Sequence, residues 1–222
     1  MPTPVNFDSV VLDGLLSDWL TAMRGHAVEA LVVLGPNPFG SAHCRDVLAA
    51  HPPRLSEAAR ALADATDFGA PWRESTAPLV SWQHIAQSAQ LAEHRWRRLW
   101  LAHGFQTTVR VEFPLVGGRA FEVFLFSPRE FHHRAEAALL AWSVLNFWPM
   151  IKKTLIEDRC VLSPRERECL ARALDGMTAR ETAQHLACTE RTVNFHLANA
   201  MVKLKVDSKL AAIQRACWLG VL

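Results

Sequence analysis

The chain has 222 residues, of which 50% are hydrophobic and 21% charged, with a formal net charge of +2. This mixture is typical of globular domains and excludes a disordered, collagen-like or coiled-coil chain, while the length predicts one or two domains. No apolar run reaches the roughly 18–20 residues that span a bilayer. The five cysteines include no C-x-x-C pair, which disfavours a disulfide framework and a zinc site. The first 30 residues show no secretory pattern, which predicts a cytoplasmic protein. We expect neither a cofactor nor a membrane partner.

Charge is unevenly distributed along the chain. Residues 1–151 contain 12 Arg and no Lys against 14 acidic residues, a net charge of −2. Residues 152–222 contain 12 basic and 8 acidic residues, a net charge of +4. The basic segment indicates either an anionic partner for the C-terminal part or a basic surface without a role.

Helix and strand signals alternate in the first two thirds of the chain. Apolar spacing predicts helices at 7–23, 56–66 (with Ser56 as a candidate cap), 83–102 and from Ser127-Pro128 to about Leu155, where Pro149 marks a kink or stop. Strands are predicted at 28–34, 78–82, 106–115 and 119–126, with a hairpin at Gly117-Gly118, and residues 41–50 are ambiguous. This order predicts an α+β domain in which helices cover an antiparallel sheet.

The C-terminal part has a different pattern, without strand signals. We predict a first domain at 1–153, a linker at 154–161 and an all-α domain at 162–222. The expected helices of this second domain are residues 164–175, 179–186, 190–204 and 208–218.

Capping residues define the starts of these helices. Ser163 and Glu166, and again Thr178 and Glu181, have the spacing of capping boxes, and Thr189 precedes the third helix. Two further signals follow: Gly176 is placed to end the first helix, and only Ala187-Cys188 join the second to the third. The short joint predicts a helix-turn-helix.

The third helix of this domain has two faces. Its apolar stripe consists of Val193, Leu197, Ala200, Met201 and Leu204, which should pack on Leu170, Ala183 and Leu186. Its opposite face carries Arg191, Asn194, Phe195, His196, Ala198, Asn199, Lys203 and Lys205. Asn can read adenine, Lys and Arg can contact phosphates, and an exposed Phe can contact a thymine methyl group. A merely solvated polar face is the alternative, but the closely spaced, capped helices favour DNA binding.

Residues 162–213 resemble the GerE/LuxR-type helix-turn-helix. The matching positions are Glu166, Leu170, Gly176, Glu181-Thr182-Ala183, Thr192-Val193-Asn194-Phe195-His196 and Lys203-Leu204. The resemblance implies that the third helix enters the major groove and that a homodimer reads an inverted repeat in double-stranded DNA. It also places Asn194 and Ala198 at base-reading positions and Thr192, His196 and Lys203 at phosphates. Because Ala198 cannot hydrogen-bond, the predicted DNA-binding set is Arg191, Thr192, Asn194, Phe195, His196, Asn199 and Lys203.

The element order of the first domain resembles the autoinducer-binding domain of quorum-sensing LuxR-type regulators, an α-β-α sandwich that binds acyl-homoserine lactones. A phosphorylated receiver domain is disfavoured because the first strand ends in Leu34-Gly35-Pro36-Asn37, without an Asp. In the ligand-binding pattern of these regulators an Asp is followed fifteen residues later by a Trp, and Asp67 and Trp82 keep this spacing. They are the candidate ligand-binding residues. Arg54 and Ala58 stand where relatives have a Trp and a Tyr, Phe68 replaces a Pro, and Arg110 replaces a Gly.

Two interpretations of this diverged domain stay open: it binds a different small-molecule signal, or its own side chains fill the pocket and no ligand is needed. The leading hypothesis is an orphan LuxR-type, dimeric, DNA-binding transcription regulator. The alternative is an interaction protein that forms mixed dimers with another LuxR-type regulator and inhibits it. An enzyme is disfavoured, because the histidines 84, 94, 103, 132 and 133 accompany no nucleophile elbow, phosphate loop or metal spacing.

Overall fold

The computed structural model describes residues 10–37, 40–41, 44–65, 78–86 and 94–222. The chain divides into two compact units, Met1–Leu155 and Ile156–Leu222. The predicted ligand-binding residue Asp67 lies outside the described residues. No helix in the described ranges combines the length and the apolar character that crossing a membrane requires.

The first unit combines helices with a single antiparallel sheet. Its helices are α1 (Val10–Met23), α2 (Ser56–Ala63), α3 (Arg95–Ala102) and α4 (Arg134–Arg159), and short 3-10 turns lie at Arg24–His26 and Pro53–Leu55. Its strands are β1 (Ala30–Pro36), β2 (Arg45–His51), β3 (Leu79–His84), β4 (Thr107–Leu115) and β5 (Arg119–Ser127). The order across the sheet is β2-β1-β5-β4-β3. The ambiguous residues 41–50 thus contribute most of an edge strand.

The predicted hairpin joins β4 and β5. Phe113 lies opposite Phe121 and Leu115 opposite Arg119. Gly117 and Gly118 have φ of 76° and 68°. A tight hairpin turn with two left-handed positions suits glycine, since a side chain is disfavoured there.

Both faces of the sheet are covered by helices. On the face that we call the α1/α4 face, strand residues such as Val33, Val111 and Val123 pack with Leu16 of α1 and Val144 of α4. The alternate strand residues point the other way because side chains alternate along a strand. The fold is therefore the predicted α+β sandwich with an antiparallel sheet.

The opposite face, which we call the α2/α3 face, has its own core. Val32, Leu34 and Phe124 of the sheet cluster there with Leu62 of α2 and Trp100 of α3. Trp100 also donates a hydrogen bond from Nε1 to the Ala58 carbonyl, 3.2 Å away. This contact connects α3 to α2 within the layer.

Three local predictions were wrong. Ser56 does not cap α2, because its hydroxyl donates to the Pro53 carbonyl instead. The predicted helix 83–102 begins in a strand, since Gln83 and His84 pair with β4, and α3 starts only at Arg95. Ser127 belongs to β5 and does not open the long helix, which starts at Arg134 and includes Pro149 without ending there.

The second unit contains four helices: α5 (Pro164–Leu174), α6 (Ala179–His185), α7 (Glu190–Lys203) and α8 (Lys209–Trp218). The observed bounds agree with the predicted ones to within one residue. The helices enclose a core that includes Leu162, Leu170, Ala183, Val193 and Ile213. α7 contacts α5, α6 and α8, so its orientation is set by the rest of the unit.

Candidate DNA-binding surface

Two capping boxes begin the helices that support α7. At α5, the Glu166 N–H donates to Ser163 Oγ at 3.3 Å, and the Ser163 N–H donates to Glu166 Oε2 at 2.7 Å. At α6, the Glu181 N–H donates to Thr178 Oγ1 at 3.2 Å, and the Thr178 N–H donates to Glu181 Oε2 at 2.8 Å. Each box satisfies N–H groups that a helix start leaves without a partner. Both boxes were predicted from the sequence.

The turn between α6 and α7 is short and tightly bonded. Ala187 has φ of 51°, a left-handed conformation that few residues other than glycine adopt. The Cys188 N–H donates to the Ala183 carbonyl at 2.9 Å, which closes the end of α6. Thr189 then caps α7, because its Oγ1 accepts from the Thr192 N–H at 3.2 Å. These bonds fix the angle at which α7 leaves α6.

One face of α7 is buried in the unit. Val193 and Ala200 are fully buried and Leu197 is 8% exposed. Met201 and Leu186 are partly buried against the same cluster. The apolar stripe predicted from the sequence therefore packs inward, and the helix is held by three of its neighbours.

The opposite face of α7 forms an exposed row, which we call the α7 row: Arg191, Asn194, Phe195, Ala198 and Val202. These positions are three and four residues apart and so lie on one side of the helix. Phe195 is 61% exposed and Val202 77% exposed, although both are large and apolar. The row thus presents a cation, an amide and apolar groups together to solvent.

Three further predicted residues border the α7 row. Thr192, His196 and Asn199 are half-buried. The His196 ring contacts the Phe195 ring edge-on, with centroids 5.8 Å apart. The Thr192 hydroxyl lies 2.8 Å from the Thr189 hydroxyl. The structure thus brings six of the seven predicted residues onto or beside one helix face.

The seventh residue, Lys203, makes a contact that sequence reasoning missed. Its Nζ donates to Glu166 Oε2 at 2.9 Å, and this carboxylate is only 4% exposed. Burial opposes the charged form of Glu166, but hydrogen bonds from Lys203 and Ser163 outweigh it and hold the pKa of the carboxyl below its ordinary value. Lys203 remains 41% exposed. It therefore ties the end of α7 to the start of α5.

The C-terminal end of α7 is also fastened. Arg215 of α8 donates from Nη1 to the Leu204 carbonyl at 2.7 Å and to the Lys205 carbonyl at 3.1 Å. A guanidinium is well suited to the carbonyl end of a helix, which carries partial negative charge. Lys203 and Arg215 thus both fasten the C-terminal end of α7 to the rest of the unit.

The other predicted site residue, Trp82, lies in the first unit on β3. It is half-buried and packs against the cluster on the α1/α4 face, with its ring 5.5 Å from the His84 ring. Arg54 is exposed, whereas Ala58 is fully buried on the α2/α3 face. Asp67 lies outside the described residues, so of the two candidate ligand-binding residues the structure places only Trp82.

The α2/α3 face instead holds a buried charged cluster of Arg45, Arg110, Glu112 and Glu122. Arg45 Nη1 donates to both oxygens of Glu122, at 3.2 and 3.3 Å, and Arg110 Nε donates to Glu122 Oε2 at 2.7 Å. Arg110 Nη2 donates to Glu112 Oε2 at 2.5 Å. The four side chains are 5–13% exposed. Burial raises the pKa of Glu112, and the nearby Arg110 opposes that shift.

Arg45 also joins this charged cluster to α2. Its Nε donates to the Ala63 carbonyl and its Nη2 to the Leu62 carbonyl, each at 3.1 Å, and Nη2 also bonds the Ala65 carbonyl. The guanidinium thus bonds the last turn of α2 and the sheet at once. Arg110, which the sequence had marked only as a departure from a family pattern, is a central member of the cluster.

Residues 160–216 match the family model described as "Bacterial regulatory proteins, luxR family". The C-terminal domain belongs to the LuxR family. This match covers α5 through most of α8 and confirms the resemblance inferred from the capping boxes and from residues 192–196.

Relatives extend the comparison beyond the LuxR-family domain. The transcriptional activator AnoR of Acinetobacter nosocomialis is 51% identical over 61 residues, which is 28% of this chain and 26% of AnoR. The transcriptional activator SolR of Ralstonia solanacearum is 26% identical over 226 residues, covering 100% of this chain and 82% of SolR. The chain thus aligns with only about a quarter of AnoR but with most of SolR. Both relatives are described as transcriptional activators.

A solved structure shares the fold of the whole chain. The Escherichia coli protein SdiA matches with a TM-score of 0.52 and 20% sequence identity, covering 100% of this chain and 92% of SdiA. At this identity the match concerns the fold alone. It agrees with the α+β sandwich followed by a LuxR-family domain.

Proposed function

We propose that the chain is a cytoplasmic transcription regulator that binds an inverted-repeat operator as a homodimer. In this proposal residues 1–153 form a sensor-like domain, 154–161 a linker and 162–222 the DNA-binding domain. The observation that carries it is the α7 row, which presents Arg191, Asn194 and Phe195 on a helix that is capped at its start and fastened to neighbouring helices at its end. Rigid placement matters because a displacement of about 1 Å weakens hydrogen bonds to base edges.

We assign different tasks to the residues of α7. Asn194 reads a base edge, since an exposed amide can donate to and accept from adenine in the major groove. Asn199 and Phe195 add further base contacts. Arg191, Thr192 and His196 contact phosphates and position the helix. Lys203 is already paired with Glu166, so its phosphate contact should contribute less than that of Arg191.

For the first domain we propose that no acyl-homoserine lactone is needed. Both faces of the sheet are covered by described side chains, and the charged cluster of the α2/α3 face is bonded internally. Buried charges of this kind require their partners, because an unpaired one is costly. A lactone with an acyl chain offers no charge to replace such a partner. This supports folding that does not depend on a lactone.

The DNA-binding part is tested by Asn194→Ala. We expect operator affinity to fall by about 10- to 100-fold, the range for losing one bidentate base contact, while affinity for scrambled DNA stays unchanged. Gln214→Ala, which removes an exposed amide from α8, is the matched control. The operator is first selected from random DNA with the wild-type protein. Equal losses on both DNAs would contradict base reading, and a wild-type homodimer that binds no DNA would favour the mixed-dimer inhibitor instead.

The sensor part is tested by thermal unfolding with and without a panel of acyl-homoserine lactones and a total-cell organic extract. A ligand at about 100 times its dissociation constant stabilises the folded state by roughly 2.7 kcal/mol, which is several degrees in the midpoint. We expect no shift in either case. A shift with lactones contradicts the proposal directly, and a shift with the extract alone indicates a different small molecule.

A further inference from the structure

The α7 row contains a line of apolar side chains as well as polar groups. Phe195, Ala198 and Val202, which we call the exposed stripe, are three and four residues apart and so follow one side of the helix. Phe195 is 61% exposed and Val202 77%. The solvent side of a helix is usually charged or polar, so a continuous apolar line there indicates contact with another molecule.

Val202 does not pack inside the second unit. Among the described residues, the core cluster of this unit includes its near neighbours Met201 and Val206 but not Val202. A β-branched residue also slightly disfavours a helix. Neither packing nor helix formation therefore accounts for a valine at this position.

The surroundings of the exposed stripe favour DNA as the molecule that covers it. Residues 191–209 contain four cationic residues and one acidic residue. Arg191 is exposed at the start of α7, and Lys203 and Lys205 are exposed at its end. An apolar line between cationic ends suits a groove in which bases lie between two phosphate backbones.

The length of the exposed stripe matches several base pairs. Phe195 and Val202 are seven residues apart, which is about 10.5 Å along a helix axis. Base pairs follow one another at about 3.4 Å, so this distance corresponds to roughly three steps. Recognition helices that lie along the major groove read bases with side chains spread over about two helical turns. Val202 is therefore within the reach expected of such a helix.

The chemistry of the stripe selects one kind of base edge. In the major groove, adenine, guanine and cytosine present hydrogen-bonding groups, whereas thymine also presents the C5-methyl group. An apolar side chain over a donor or acceptor removes water without returning a hydrogen bond, which is costly. The same side chain over a methyl group buries apolar surface, which is favourable. The stripe should therefore prefer a methyl group at each position that it covers.

Neighbouring side chains support this preference. The His196 ring contacts the Phe195 ring edge-on, with centroids 5.8 Å apart, and so restrains its orientation. Ala198, between the two large residues, is small enough to let the helix approach the groove closely. Asn194 and Asn199 flank the stripe and can read adenine, the base that pairs with thymine.

We propose that Phe195, Ala198 and Val202 read the C5-methyl groups of successive 5-methylpyrimidines in each half-site, with Val202 as a specificity-determining residue. The inference rests on the proposed function and deepens it, because it names the chemical group that part of the α7 row recognises. Thymine and 5-methylcytosine both carry this group. An operator half-site should therefore contain thymines next to the adenine that Asn194 reads.

Replacing single thymines by deoxyuridine tests the proposal with the full wild-type chain. This change removes the methyl group and keeps the base pair. In the operator selected from random DNA, we expect affinity to fall about fourfold at each of two or three thymines per half-site, as for burying one methyl group, and to stay unchanged at thymines outside the half-sites. Fluorescence anisotropy measures the affinity. Wild-type affinity for every deoxyuridine duplex overturns the proposal.

Replacing a sensitive thymine·adenine pair by 5-methylcytosine·guanine distinguishes the methyl group from the base that carries it. We expect 5-methylcytosine to bind about fourfold more tightly than cytosine at the same position. Equal affinities for these two bases would show that the protein reads thymine through its pairing or through the shape of the duplex, and would overturn methyl reading.

Val202→Thr tests the assignment to Val202, because it replaces one methyl group of the side chain by a hydroxyl at nearly constant shape. We expect about fourfold weaker operator binding, and removal of the partner methyl group from the DNA should then cost little, since the two changes affect one contact. Val116→Thr is the matched control, because Val116 is 64% exposed in the β4–β5 turn of the first unit. Circular dichroism confirms that both variants are folded. If every methyl group costs as much in Val202→Thr as in wild type, Val202 is not a reader and its assignment is overturned.

Failure of this inference is distinguishable from failure of the proposed function. If the wild-type chain selects an inverted repeat but tolerates deoxyuridine throughout, the regulatory function stands and the methyl-reading stripe is overturned. If the wild-type chain selects no DNA, both are overturned. An operator whose half-sites contain no thymine would also overturn the stripe while the function stands.

Discussion

The two units place their charged residues differently. In the first unit, Arg45, Arg110, Glu112 and Glu122 meet inside the α2/α3 layer, from three separate strands. In the second unit, acidic residues sit mostly at helix starts and basic residues on the surface, and Glu166 is the main buried carboxylate among the described residues. Charge in the first unit therefore joins distant segments, whereas charge in the second unit mostly sets where each helix begins. We therefore expect large losses of stability when charged residues of the first unit are mutated, and smaller, local losses in the second unit.

The largest effect is expected for Glu122→Ala. This carboxylate accepts from both Arg45 and Arg110, so its removal leaves two nearly buried guanidinium groups without their shared partner. Breaking a buried ion pair in this way costs about 3–5 kcal/mol. Urea unfolding measures the change, with Glu57→Ala as control, because Glu57 is 70% exposed and its pair with Arg95 should matter little. A loss below about 1 kcal/mol would show that the charged cluster is not structural.

A smaller and pH-dependent effect is expected for Glu166→Gln. The variant loses a charged acceptor for Lys203 and the Ser163 N–H, which should cost roughly 1.5–3 kcal/mol at pH 7. The pKa of Glu166 is lowered in the folded state, so its contribution is complete above the unfolded value of about 4.5 and is lost as pH falls through the folded value. Wild type and variant should therefore converge in stability as pH falls below the unfolded value and through the lower folded pKa. A constant difference from pH 7 to pH 3 would contradict this assignment.

Thr178→Ala should have a local effect of about 1 kcal/mol, the usual cost of losing a helix cap. Hydrogen bonds of the capping box lower the pKa of Glu181 and so favour its ionised carboxylate. In the variant this carboxylate loses the hydrogen bond that the Thr178 hydroxyl donates. Thr178→Ser keeps the hydroxyl and should restore most of the stability. Guanidinium unfolding followed by circular dichroism distinguishes the two variants, and equal losses would show that the methyl group matters and not the cap.

The smallest effect is expected for Arg165→Ala. Arg165 pairs with Glu168 at 2.8 Å, but their side chains are 60% and 45% exposed. Surface pairs of this kind contribute at most about 0.5 kcal/mol and are screened by salt. We expect a fall in the thermal midpoint of no more than about 1–4 °C. A larger loss that persists at high salt would place this pair with the buried ones, which salt screens much less.

The second unit could be predicted from sequence because its determinants are local. Ser163 with Glu166, and Thr178 with Glu181, lie three residues apart, and the bonds they make are within one helical turn. Six of the seven predicted DNA-binding residues lie on or beside the exposed row of α7 for the same reason. Lys203 differs because its partner, Glu166, is 37 positions away.

The first unit was harder to predict because its determinants are distant in the chain. Polar residues that alternate with apolar ones along a strand, as Arg110 and Glu112 do in β4, usually face water. Here both faces of the sheet are covered, and Glu122 and Arg45 approach from other strands. The predicted helix 83–102 failed similarly, because Gln83 and His84 pair with β4, a constraint that helical periodicity does not contain.

The lysines of the chain occupy only positions 152, 153, 203, 205 and 209. Three of these lie at the end of α7 or the start of α8, so side-chain amines are concentrated next to the helix that we assign to the major groove. An amine-selective acylating reagent would therefore label lysines near α7 and at the end of α4, while the sheet of the first unit, which has no lysine, stays without side-chain label. Acylation in the cell would reach the same few positions, and it would weaken DNA attraction without altering the buried arginine pairs.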